Sequence, residues 1–150
     1  MRRFSTVICA AVVSAAAVTA CGSSAAKTAA PALTAADYIQ QADAICKADT
    51  ATIVAAAVAL GDSPTPQQQQ QWVTASVVPL YSHTVSAVGA LTPPKELASK
   101  VSTWLTVFKR AINEAKSNPA SVLDGSGSLP TAYNRAGDVG LHECNQQPKK

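Results

Sequence analysis

The chain has 150 residues, of which 47% are hydrophobic and 14% charged, and its formal net charge is +3. This length suits one domain with a modest core, and the small positive charge does not provide the basic surface that nucleic-acid binding requires. Abundant alanine with only seven glycines favours helix, and no stretch shows the apolar–polar alternation typical of strands.

The first 24 residues have the pattern of an export signal. Two arginines precede the apolar run Phe4–Ala17, and Val18-Thr19-Ala20-Cys21 precedes a small polar tract. This arrangement resembles the lipobox of bacterial lipoproteins. The resemblance implies removal of residues 1–20, a diacylglyceryl group on Cys21, and attachment to the extracytoplasmic face of the cell membrane.

Two alternatives remain for this segment, a short transmembrane anchor and an export signal without lipid. The apolar run has about 14 residues, fewer than the ~20 that a helix needs to span the hydrocarbon core. Small residues before Cys21 and polar residues after it favour cleavage and lipid addition. Without Arg2 and Arg3, the formal charge of the mature chain falls from +3 to +1.

The part after the signal divides into a tether, a helical domain and a tail. Residues 21–33 are small and polar, contain Pro31, and predict a flexible tether. The hydrophobic periodicity places the helical domain over residues 34–145. The polar residues 146–150 predict a disordered tail.

Two helices are predicted in the first half of the domain. Thr34 with Asp37 resembles a capping box at the start of helix one, and Gly61 is expected to end that helix. Helix two is expected to start at Thr65-Pro66, where proline suits the first helical position. Pro79 lies in the interior of helix two and predicts a kink or a break.

Helix three has the clearest pattern, because its apolar residues share one face: Leu97, Val101, Trp104, Leu105, Phe108 and Ile112. Asn118-Pro119 is expected to end it, before a flexible loop over 124–128. Residues 130–136 predict a short fourth helix, and 137–144 an irregular return. The pattern therefore predicts an all-α fold, a small up-and-down bundle of three to four helices.

The domain also resembles a group of small, largely uncharacterised extracytoplasmic helical proteins of actinobacteria. The residues that carry this resemblance are YIQQADAIC at 38–46 and YNRAGDVGLHEC at 133–144. The resemblance spans about residues 34–145. It implies a helical fold with a disulfide between the two cysteines, and no particular activity.

The cysteines themselves also indicate a disulfide. Cys9 lies in the signal and Cys21 in the lipobox, which leaves Cys46 and Cys144 in an oxidising compartment. A bond between these two would close a loop of about 98 residues and hold the weakly apolar fourth helix, which we expect to fray without it. The alternatives are a reactive thiol or a metal site, although neither cysteine has C-x-x-C spacing.

Histidines provide the other candidate ligands. Tyr81 and His83 lie close together on helix two and could hold haem or a metal, although an exposed helical histidine is the commoner case. His142-Glu143-Cys144 could bind zinc together with Cys46, although an exported protein favours the disulfide.

No catalytic motif follows the signal. Asp43 and Asp49 are six residues apart and do not share a helix face, so they are not a convincing acid–base pair. We expect no enzyme, cofactor or metal, but a lipid-anchored module that binds a partner protein or small apolar ligand between helices two and three. The alternatives are a haem or lipid carrier using Tyr81 and His83 and, third, an envelope enzyme.

Overall fold

The computed structural model describes residues 33–146, and within this range the regular structure is helical, without strands. The helices are α1 (Ala35–Val58), α2 (Pro66–Trp72), α3 (Val78–Ala90), α4 (Lys95–Ser117), α5 (Ala120–Asp124) and α6 (Leu129–Val139). The predicted signal, the predicted lipid-attachment residue Cys21, nearly all of the predicted tether and the tail from residue 147 lie outside the described residues. None of the helices between residues 33 and 146 is long and apolar enough to cross a membrane.

The predicted cap of α1 is present, with one difference in its hydrogen bonds. The Thr34 side chain accepts the backbone N–H of Asp37 at 3.1 Å. The Thr34 hydroxyl also donates to the Asp37 carboxylate at 2.6 Å. The carboxylate therefore binds the side chain of the capping residue, whereas in a capping box it binds that residue's backbone N–H. Its negative charge in the first turn also suits the helix dipole.

The second predicted helix continues past Pro79 without a break. Residues Val73–Val77 form a π-helical segment between α2 and α3, and the N–H of Val78 donates to the carbonyl of Val73. A proline has no N–H to donate and its ring clashes with the carbonyl four residues earlier. The wider π turn just before Pro79 accommodates that ring, so the helix changes its hydrogen-bond register.

The segment around the fourth predicted helix is more regular than the sequence predicts. The fourth predicted helix, α6, extends to Val139, and Gly137 belongs to its last turn. The turn out of α6 is made by Gly140, at a φ of 95°, and the N–H of Leu141 donates to the carbonyl of Ala136 at 3.0 Å. The irregular return therefore begins at residue 140, because the glycine with positive φ stands there and not at Gly137.

The helices form the predicted up-and-down bundle, in which α2 and α3 act as one long element. The helix α3 packs against both α1 and α4, and α4 packs against α6. The largest fully buried side chains come from α1, the π-helical segment, α3, α4 and the segment after α6: Tyr38, Ile53, Val73, Val77, Val88, Trp104 and Leu141. The all-α prediction is confirmed for the described residues, and Trp104, on the predicted apolar face of helix three, is fully buried.

Candidate functional site

The predicted disulfide is present and anchors the segment that follows α6. Cys46 and Cys144 are bonded, with their Cα atoms 5.1 Å apart, and both are buried. The Asp43 carboxylate accepts the backbone N–H of His142 at 3.1 Å and that of Glu143 at 2.9 Å. Both thiols are consumed in the bond, so neither is a free nucleophile or a zinc ligand in this state.

A cavity of about 10 Å³ lies beside the disulfide, between α1, α3, α4 and α6. Tyr81 and Tyr133 line it, and their hydroxyl oxygens are 2.6 Å apart. Burial raises the pKa of Tyr81 to about 12, partly countered by the hydrogen bond with Tyr133. Burial and the neighbouring Tyr81 raise the pKa of Tyr133 as well. This cavity has room for about one water molecule, and its two phenols stay protonated at neutral pH.

A buried carboxylate links α1 to α3. Asp49 is 6% exposed and accepts the hydroxyl of Thr84 at 2.6 Å. The Nδ1 of His83 lies 2.9 Å and 3.1 Å from its two oxygens. The His83 side chain is 64% exposed, and its Nε2 has no hydrogen-bond partner within residues 33–146. The structure therefore brings together Asp49 and His83, which the sequence analysis treated separately.

The Asp49–His83 pair has the geometry by which a carboxylate orients an imidazole in metal sites and in general-base catalysis. Within the described range, no group of three His, Cys, Asp or Glu side chains could hold a metal ion. Tyr81, the other residue suggested as a haem or lipid contact, lies in the core while His83 lies at the surface. Tyr81 and His83 therefore do not share one surface, and the Asp49–His83 pair serves to hold α1 against α3.

An open groove with a volume of about 640 Å³ lies between α3 and α4. One stripe of α3 lines it with mostly small side chains: Ser82, Val85, Ser86, Gly89 and Ala90. A matching stripe of α4 supplies Lys109, Ile112, Asn113 and Lys116. The other side of the same two helices carries Tyr81 and Phe108, which face the cavity beside α1 and α6. The groove therefore lies on the outer side of the α3–α4 pair, and no described helix covers it.

The charge of this groove is positive. Neither Lys109 nor Lys116 makes a salt bridge within residues 33–146, and no acidic residue lines the groove. The nearest acidic residue along α4, Glu114, accepts the backbone N–H of Ser128 at 2.9 Å on the α6 side. The hydrogen bonds from Ser128 lower the pKa of Glu114, which therefore stays charged but points away from the groove.

No protein-family model, no curated protein and no solved structure matches the chain. The groove, the disulfide-bonded scaffold and the pattern of the first 24 residues are therefore the features from which a function is inferred.

Proposed function

We propose that this protein is a non-enzymatic module of the cell envelope, held to the membrane by lipid on Cys21, which binds a partner protein in the α3–α4 groove. The groove is the main support for this proposal, because α3 and α4 expose a concave, partly apolar surface there. Its floor contains the buried side chains Val85 and Ile112, and its rim contains polar and charged ones. An apolar centre with a polar rim is the usual composition of a protein–protein interface.

The shape of the two concavities favours a protein over a small apolar ligand. Small-molecule sites are mostly enclosed and apolar, with volumes of about 300–1,000 Å³. The cavity beside Tyr81 has only about 10 Å³, too little for such a ligand, whereas the large groove is open to solvent and carries two lysines. An open groove of this kind suits a protein partner whose surface is complementary to it.

A haem or lipid carrier using Tyr81 and His83 remains the alternative, and an envelope enzyme the third candidate. The carrier would need Tyr81 to reach a ligand, yet its hydroxyl is bonded to that of Tyr133 inside the core. The exposed imidazole of His83 is the one feature that favours a ligand there.

Site-specific photo-crosslinking in living cells tests the binding face. A photoreactive amino acid at Ser86, in the groove, is expected to yield a covalent adduct with one partner protein on irradiation. The same photoreactive amino acid at Gln40, which is exposed on α1 and does not line the groove, serves as the control and should yield none. Equal adducts at both positions, or none at Ser86, would contradict the proposed binding face.

The lipid anchor has its own test. Cells fed an alkyne fatty acid should label the protein, and Cys21→Ala should abolish the label because the thiol that receives the lipid is gone. Cys9→Ala, within the predicted signal, is the matched control and should keep the label. A label that persists in Cys21→Ala would refute the anchor without affecting the groove.

A further inference from the structure

The residues that line the groove indicate the chemistry of the protein segment that binds there. This inference rests on the partner-binding function proposed above. We infer that the occupant is an amphipathic helix of another protein that carries two acidic side chains seven residues apart, one opposite Lys109 and one opposite Lys116. Both lysines are exposed, line the groove, and make no salt bridge within residues 33–146.

The spacing of the two lysines matches a helix. They are seven residues apart on α4, which places them on one face and about 10.5 Å apart along the axis. A second helix lying along the groove has the same rise, so its own residues seven apart repeat at the same distance. Two carboxylates at that spacing therefore meet both ammonium groups at once.

The walls of the groove suit the close approach of a helix. The α3 wall presents Ser82, Ser86, Gly89 and Ala90, none of which extends far from the backbone. Helices pack with axes 8–10 Å apart, and small side chains at the contact allow the shorter distances. The α3 stripe from Ser82 to Ala90 covers about 12 Å, so it contacts two turns of the partner.

A second copy of this chain does not provide such a helix in its described part. In α1 the acidic residues Asp37, Asp43 and Asp49 are six apart, and the last two already accept hydrogen bonds. The helix α6 contains one acidic residue, Asp138, which pairs with Arg135 at 3.0 Å. The complementary segment therefore belongs to a different protein.

Charge reversal combined with crosslinking from Ser86 tests this inference in the full chain. Lys109→Glu with Lys116→Glu should lower the adduct yield by roughly tenfold or more, because like charges then face each other across the groove. The matched control is Lys95→Glu with Lys100→Glu, an identical charge change at exposed positions of α4 outside the groove. The control should stay within about twofold of the unaltered protein.

Sequencing the crosslinked segment and synthesising it as a peptide completes the test. The segment should form an amphipathic helix with acidic residues seven apart, and a peptide with lysines at those two positions should bind the charge-reversed protein instead.

An adduct that is insensitive to charge reversal, a segment without such acids, or an adduct of lipid size would overturn the inference. A protein adduct that persists after reversal would still support binding in the groove, whereas no adduct at Ser86 would end both proposals. Equal far-ultraviolet circular dichroism of the variants shows that any loss is not unfolding.

Discussion

At the scale of single residues, Asp49 is the polar group with the greatest influence on how the helices meet. It follows Cys46 by three positions and precedes Ile53 by four, so it lies on the buried stripe of α1. Burying a carboxylate is costly unless hydrogen bonds replace its water. Thr84 and His83 provide those bonds from α3, and the three side chains thereby set how α1 packs against α3.

Replacing that carboxylate should destabilise the fold. We expect Asp49→Ala to lower the free energy of unfolding by about 1.5–3 kcal/mol, the range for hydrogen bonds to a charged group. The hydroxyl of Thr84 also reaches the carbonyl of Leu80 at 3.1 Å, which limits the loss. Urea denaturation measures the change, and Asp138→Ala, which removes an exposed carboxylate, should cost less than about 1 kcal/mol. Equal changes in the two variants would show that Asp49 contributes no more than a surface ion pair.

The three tyrosines should make the protein sensitive to alkali. Burial raises the pKa of Tyr38 to about 12 and that of Tyr81 to about 12, and it raises the pKa of Tyr133 as well. An unfolded chain loses these protons near pH 10 while the folded chain keeps them, so stability is full below pH 10 and falls as pH rises towards 12. The ultraviolet absorbance of tyrosinate should therefore appear well above pH 10 in folded protein and near pH 10 in urea. A folded-state midpoint near pH 10 would contradict the burial of these phenols.

At the scale of elements, two glycines three residues apart at the end of α6 should respond to substitution with opposite signs. Gly140 has a φ of 95°, so Gly140→Ala should destabilise the protein by about 1–2 kcal/mol. Gly137 lies within the helix, where alanine is favoured by up to about 1 kcal/mol. An added Cβ there would lie 3.1 Å from the exposed side-chain amide of Asn145, which can move aside. Thermal unfolding of the two variants distinguishes them, and a shift of the same sign in both would place the end of α6 elsewhere.

At the scale of the whole molecule, the disulfide joins the first helix to the last segment. Replacing Cys46 and Cys144 together by alanine should lower stability by about 4–5 kcal/mol, because the bond closes a loop of 98 residues. Urea denaturation measures the loss, and a change below about 1 kcal/mol would show that the rest of the bundle already restrains the chain ends.

The region that opens first on reduction should differ from the one that the sequence predicts. The sequence indicates a weakly held fourth helix, but α6 buries five side chains: Leu129, Ala132, Tyr133, Ala136 and Val139. We therefore expect reduction to release residues 141–146 before α6 opens. Hydrogen exchange of the reduced protein checks this order. Simultaneous loss of protection in residues 141–146 and in α6 would support the expectation from the sequence that the fourth helix frays without the disulfide.

The local features of the fold could be predicted from the sequence because each depends on a few neighbouring residues. Thr34 caps α1, Thr65 and Gln68 form the capping box of α2, and the apolar stripe of α4 is buried as its periodicity indicates. The disulfide could be predicted too, since only two cysteines remain once Cys9 and Cys21, in the predicted signal and lipobox, are set aside. Asp49, on the apolar stripe of α1, was the one available signal of the buried polar cluster.

The sequence alone was enough to predict a helical domain over residues 34–145, the starts of its first two helices, and the pairing of Cys46 with Cys144 as the favoured role of these cysteines. The tertiary structure alone shows that Asp49 meets Thr84 and His83, which are 35 and 34 residues away in the sequence. It also decided that a π turn precedes Pro79 and that Lys109 and Lys116 line an uncovered groove. The reason is physical: caps and periodicity act within a few residues, whereas partners across helices depend on how whole helices rotate and pack.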